Sequence, residues 1–91
     1  MATGELPDLI AELEHRLSLA KNPAQQVDAR LDLAREIGPG DPERAANLAR
    51  EALLLAEDHH LEPARKAEAA YQAGVGCLQL ADYLQARKYF E

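Results

Sequence analysis

Apolar positions along this 91-residue chain recur every third or fourth residue, and nowhere do they alternate at period two. That spacing predicts amphipathic helices and no strands. A first helix is expected over 7–21, with Leu9, Ile10, Leu13, Leu17 and Ala20 on one face. A second runs over 23–37, with Val27, Leu31, Ala34 and Ile37 inward. A third runs over 42–59, with Ala45, Ala49, Ala52, Leu53 and Ala56 inward. A fourth covers 63–80, its inward face formed by Ala67, Ala70, Tyr71, Gly74, Cys77 and Leu78. A fifth begins after Asp82 and reaches Glu91.

Proline supplies the punctuation. Pro7, Pro23, Pro42 and Pro63 each stand where a helix begins, a position at which the missing N–H costs nothing. Asn22, three residues before Gln25, has capping-box spacing, and Asp41 puts a carboxylate before the next helix. Ile37-Gly38-Pro39 is a helix stop. The connections are short, so successive helices are expected to fold back as antiparallel hairpins within a single small domain.

Composition narrows the picture. Apolar residues make up 47% but aromatics only 4%, and the apolar majority is Ala and Leu. Such a composition suits close helix–helix contact. The net charge of −6 repels phosphate backbones and the basic residues are scattered, so nucleic acid is not expected as a partner. The lone cysteine, Cys77, permits no internal disulfide; among apolar helical neighbours it reads as a small core residue, which suits a reducing, cytoplasmic setting. MATGELPDL has neither the basic nor the apolar segment of a secretory signal, and no stretch reaches the apolar length of a membrane span.

Residues 40–51, GDPERAANLARE, echo residues 81–91, ADYLQARKYFE. Asp41 pairs with Asp82, Ala45 with Ala86 and Ala49 with Phe90, an ungapped offset of 41 residues. Within 67–91, small residues at Ala67, Gly74 and Ala86 and aromatics at Tyr83 and Phe90 have the spacing of a tetratricopeptide repeat, which this stretch resembles. Such a repeat is a helical hairpin of about 34 residues in which Ala and Gly let helices approach and an aromatic fills the space beside them. Gly74 is accordingly expected at a close packing contact, while Gly76 has no such account. Ala70 and Cys77 depart from the motif's aromatics, Leu33 stands where an earlier small residue belongs, and the repeat is about two helical turns too long.

The resemblance implies an all-α fold of antiparallel hairpins stacked as a short tetratricopeptide-like solenoid of about five helices. Residues 7–21 would belong to a degenerate leading repeat, 23–66 to a first repeat and 67–91 to a truncated second. It also implies a non-enzymatic module that binds a protein or peptide, like the N-terminal docking or sensory arrays of larger bacterial signalling proteins. Carried over position by position, the partner-facing groove would hold Arg30, Glu68, Tyr71 and Gln79. The Lys, Arg and Asn set with which chaperone-binding relatives clamp a terminal carboxylate is absent from these positions. A final hairpin cut short at Glu91 leads to two expectations: a longer parent protein, or self-association of two chains through Leu84, Tyr89 and Phe90.

Catalytic and metal chemistry find little footing. Glu-x-x-His occurs at Glu12/His15 and Glu57/His60, and Glu36 and Glu68 could nominally complete a di-iron carboxylate set. Helical geometry turns Glu12, His15 and Glu57 off the apolar stripes, so no metal site and no cofactor are expected. His59-His60 reads as a polar helix end near the negative terminus of the dipole. Gly74-Val75-Gly76 lacks the strand that precedes a phosphate-binding loop.

Overall fold

A computed structural model describes the backbone of residues 5–90 and the side chains of residues 9–84. The order of elements is α1 (Glu5–Leu19), α2 (Pro23–Ile37), α3 (Pro42–Asp58) and α4 (Pro63–Phe90). The chain is all-α, with no strand among the described residues.

The starts of α2, α3 and α4 fall at the expected prolines, whereas α1 begins at Glu5, two residues before Pro7. Asn22 Oδ1 accepts from the Gln25 N–H at 2.8 Å, and Asp41 Oδ1 from the Arg44 N–H at 3.1 Å. Gln25 Oε1 reaches one residue past the cap and accepts from the Lys21 N–H at 3.1 Å. Each cap satisfies an N–H that the first helical turn leaves open, which stabilises by about 1 kcal/mol. The end of α3 was less legible. The Leu61 N–H donates to the Ala56 carbonyl and the His60 N–H to the Glu57 carbonyl, the double bond of a Schellman motif. His60 takes the left-handed conformation, with φ of 53°, where glycine is usual. Leu61, the next residue, folds back against the core beside Ala56.

α2 is packed on more than one side. Val27 and Leu31 join Ala49, Ala52 and Ala56 of α3 and Ala69 and Ala73 of α4 in one apolar cluster. Leu33, Ala34 and Ile37 join Leu13 of α1 and Ala45 and Leu48 of α3 in a second. The predicted inward faces of α2 and α3 are buried, apart from a half-buried Leu53. Ala29 and Leu33 are buried too, because α1 covers a flank of α2 beyond its predicted stripe. α3 packs on both α2 and α4, whereas α1 makes no backbone approach to α4.

Two expectations about the C-terminal third are corrected. First, α4 runs unbroken to Phe90, with no helix start at Asp82; there are four helices, not five, among the described residues. Asp41 starts a helix because Gly38-Pro39-Gly40 has just ended one. Its counterpart Asp82 follows Gln79-Leu80-Ala81, which contains no breaker. Second, the inward face of α4 is not the predicted one. Ala67, Ala70, Tyr71, Gly74, Cys77 and Leu78 are all exposed, and Ala69, Ala73 and Gly76 are buried instead. The reason is the surface α3 offers. Ala46, Ala49 and Ala52 form a shallow ridge of methyl groups, and only small residues can lie close against it.

The two glycines of α4 therefore exchange the roles expected of them. A Cβ on Gly76 would sit 3.0 Å from Ala46 Cα and 3.2 Å from Ala46 Cβ, whereas a Cβ on Gly74 would meet nothing within 4 Å. Gly74→Ala should stabilise the fold by about 1 kcal/mol, the ordinary helix-propensity gain. Gly76→Ala should lower stability, since overpacking against a backbone that cannot swing aside costs about 1–3 kcal/mol and outweighs the same gain. Urea denaturation of both variants in dilute solution measures this. Equal stabilisation by the two substitutions would mean that α3 and α4 do not approach this closely.

Candidate functional site

α2 and α4 are not neighbours in sequence, and they touch along only part of their lengths. Polar pairs tie them at one end. The Arg65 guanidinium grips Asp28 through two bonds, Nε to Oδ1 at 2.9 Å and Nη2 to Oδ2 at 2.8 Å. Its Nη1 also donates to Glu62 Oε1 at 2.6 Å, which locks the first turn of α4. Further along, Arg35 Nη2 lies 3.5 Å from Glu68 Oε2, and Arg35 also meets Asp32 at 3.3 Å. Beyond Glu68 the helices part and leave a cleft of about 240 Å³.

The cleft has an apolar floor and a polar rim. Ala34, Ala45, Val75 and Gly76 form the floor. Arg35, Glu68, Tyr71 and Gln79 stand around it, with Pro39 closing one side. Glu68 is oriented by Arg35 and by a bond from Gln72 Nε2 at 2.9 Å. A second hollow of about 420 Å³ continues past Gly38, Pro39 and Gln79 to Pro42, Asp82 and Tyr83. Together they form one groove along α4, bordered by the turn between α2 and α3. Among the described residues that line it, Arg35 is the sole cation and is already held by carboxylates, while Glu68 and Asp82 give this part of the rim an acidic balance.

Three of the four predicted groove residues, Glu68, Tyr71 and Gln79, line this cleft together. Arg30 does not. It is half-buried between α2 and α3, 3.3 Å from Glu51, and Nη1 donates to the Gln26 carbonyl. Of the predicted self-association residues, Leu84 is exposed, and the side chains of Tyr89 and Phe90 lie outside the described residues. Cys77, expected in the core, is exposed on the outer side of α4. Arg35, Pro39 and the floor residue Val75 also line the cleft, although they were not among the predicted groove residues. Their signal was the Gly38-Pro39 turn, whose position beside α4 only the packed fold reveals.

The Glu-x-x-His residues do not converge. Glu12, His15, Glu57 and His60 are exposed, as are Glu36 and Glu68. No group of three or more His, Cys, Asp or Glu among the described residues is arranged to hold a metal ion. No helix among them is long and apolar enough to cross a membrane. Compared with known proteins, the chain matches no protein-family profile, no curated protein and no solved structure. Its function must therefore be argued from the groove itself.

The clamp at the start of α4 has a pH signature. The Arg65 hydrogen bond, aided by a backbone N–H and by the guanidinium charge, holds the Glu62 carboxyl below its ordinary value of 4.5. Arg65, beside Asp28 and Glu62, is pushed upward and stays charged throughout. A carboxyl lowered in the folded state stabilises above its unfolded value and loses that contribution as pH falls through the folded one. The melting temperature should therefore drop on acidification below about pH 4.5. Glu62→Gln should flatten part of that drop in a pH series of thermal melts; an unchanged slope would remove Glu62 from the clamp.

Proposed function

We propose that this chain is a non-enzymatic docking module that binds a protein or peptide segment in the groove between α2 and α4. The observation that carries this reading is the groove's construction: an apolar floor of Ala34, Ala45, Val75 and Gly76 under a rim of Glu68, Tyr71 and Gln79. A peptide-binding surface needs this combination of a desolvated apolar strip with a few oriented polar groups. Tyr71 is the natural anchor, since 68% of its surface is exposed and it offers a ring and a hydroxyl at low entropic cost. The acidic rim suits an occupant that carries a basic group beside a small apolar side chain.

The stacked-hairpin reading belongs to the same proposal. In a tetratricopeptide-like array each helix packs on its neighbours and distant helices stay apart. The packing of α3 on both α2 and α4, with α1 remote from α4, supports that arrangement. On this reading the module serves as a docking or sensory segment of a signalling protein, the setting that the sequence resemblance implies.

Selection of displayed peptides against the purified chain, followed by NMR mapping, tests the proposal. Selected peptides should shift the amides of Gly38, Val75 and Gly76. Tyr71→Ala should weaken them by at least about tenfold, and Val75→Glu should abolish binding while the chain stays helical. Amide shifts confined to other surfaces, or no peptide enriched over scrambled sequences, would overturn the assignment.

A further inference from the structure

Three groove residues of α4 stand seven apart: Glu68, Val75 and Asp82. At about 100° per residue they lie within about 40° of one another. At a rise of 1.5 Å per residue they are spaced by about 10.5 Å. The groove thus presents one straight line of carboxylate, apolar side chain and carboxylate, with Gln79 between the last two. Glu68 takes both of its bonds at one oxygen: Oε2 accepts from Arg35 Nη2 at 3.5 Å and from Gln72 Nε2 at 2.9 Å. Its Oε1 has no partner among the described residues. Neither the Asp82 carboxylate nor the Gln79 amide has one there.

The charges leave a surplus for an occupant to meet. Arg35 is shared between Glu68 and Asp32, and Asp32 is shared with Arg16. Those two cations balance Asp32 and Glu68, and Asp82 is left over. Shape limits the occupant further. The Arg35–Glu68 pair bridges one end, and a cleft of about 240 Å³ holds side chains but no helix, which is about 10–12 Å across. A β-strand turns every third side chain to the opposite face. Polyproline II has three residues per turn and a rise of about 3.1 Å, so every third side chain returns to one side after about 9.3 Å. That step fits the spacing of Glu68, Val75 and Asp82, and long basic side chains take up the small difference.

We propose that the groove takes a proline-rich segment in the polyproline II conformation, with an apolar residue between two basic ones at three-residue steps. This rests on reading the groove as a peptide-docking site. The apolar residue sits on Val75 beside Tyr71. One basic group meets Glu68 Oε1 and the other meets Asp82. The Tyr71 ring and Pro39 flank the prolines between them. Polyproline II leaves its carbonyls unpaired, and the Gln79 amide donates to one of them.

The probe is the blocked heptapeptide Lys-Pro-Pro-Val-Pro-Pro-Lys, titrated into the full chain at low salt and followed by NMR. It should shift the amides of Gly38, Val75 and Gly76 to saturation. Replacing either lysine by norleucine should weaken it by about threefold, the scale of an exposed ion pair, and 0.5 M salt should remove that difference. Asp82→Lys, at an exposed position, should weaken the peptide likewise. Glutamate in place of one terminal lysine, and not the other, should restore the loss and so fix the direction of the chain. Equal binding by a peptide with norleucine at both ends overturns the dibasic occupant and leaves the docking groove standing. So does a heptapeptide that leaves the groove amides unmoved while peptides selected by display shift them. If neither kind of peptide moves those amides, the groove reading falls and this proposal falls with it.

Discussion

The depth at which α4 lies on α3 is set by one contact, Gly76 over Ala46, and much of the structure depends on it. Two helices this close can meet only through small side chains, so the seam is lined by Ala46, Ala49, Ala52, Ala69 and Ala73. Such a seam excludes the larger apolar residues of α4. Tyr71 and Leu78 are driven to the outside, while Val75 and Gly76 are left as the floor where α4 diverges from α2. The cleft and the open apolar face are thus two consequences of the same close approach.

The other organising feature is the pair of ionic links between α2 and α4. Apolar contact joins these helices through Val27, Leu31, Ala69 and Ala73, and the ion pairs of Arg65 with Asp28 and Arg35 with Glu68 add to it. Partly exposed pairs of this kind add little stability individually. Their effect is geometric. The planar fork of Arg65 fixes the angle at which α4 departs, and Arg35 marks where the helices separate. Residues beyond that mark can then border a groove without filling it.

Most of the helical framework was legible in the sequence, because it rests on local chemistry. Asn22 and Asp41 cap as their spacing predicts, and the proline positions mark the starts of α2, α3 and α4. The predicted faces of α2 and α3 were legible for the same reason. What failed was the choice between the two apolar stripes of α4. Periodicity ranks the stripe with Tyr71 and Leu78 as the more hydrophobic, but the alanine surface of α3 selects the smaller one. That preference lies on another helix, and no pattern within residues 63–84 contains it. The break expected at Asp82 failed because the repeat preserved the aspartate without the glycines and proline that end the preceding helix. The groove was legible in part: Glu68, Tyr71 and Gln79 share one side of α4, but their opposing wall depends on where Pro39 is carried by the packing.

The position of α1 has a consequence for how the chain opens. α1 packs on α2 through the cluster around Leu13, Leu33 and Ile37, with Glu14 reaching Arg44 at 3.0 Å and Arg16 reaching Asp32 at 3.3 Å. Among the described residues, the cluster around Val27, Ala49, Ala52 and Ala69 has no member from α1. Local unfolding of α1 therefore leaves that cluster intact, so the amides of α1 exchange with solvent through a lower free-energy opening than those of α3. While α1 is detached, Leu33 and Ile37 lose much of their cover. The chain then bares fresh apolar surface beside the turn that borders the groove, a transient state distinct from both the folded protein and the unfolded one.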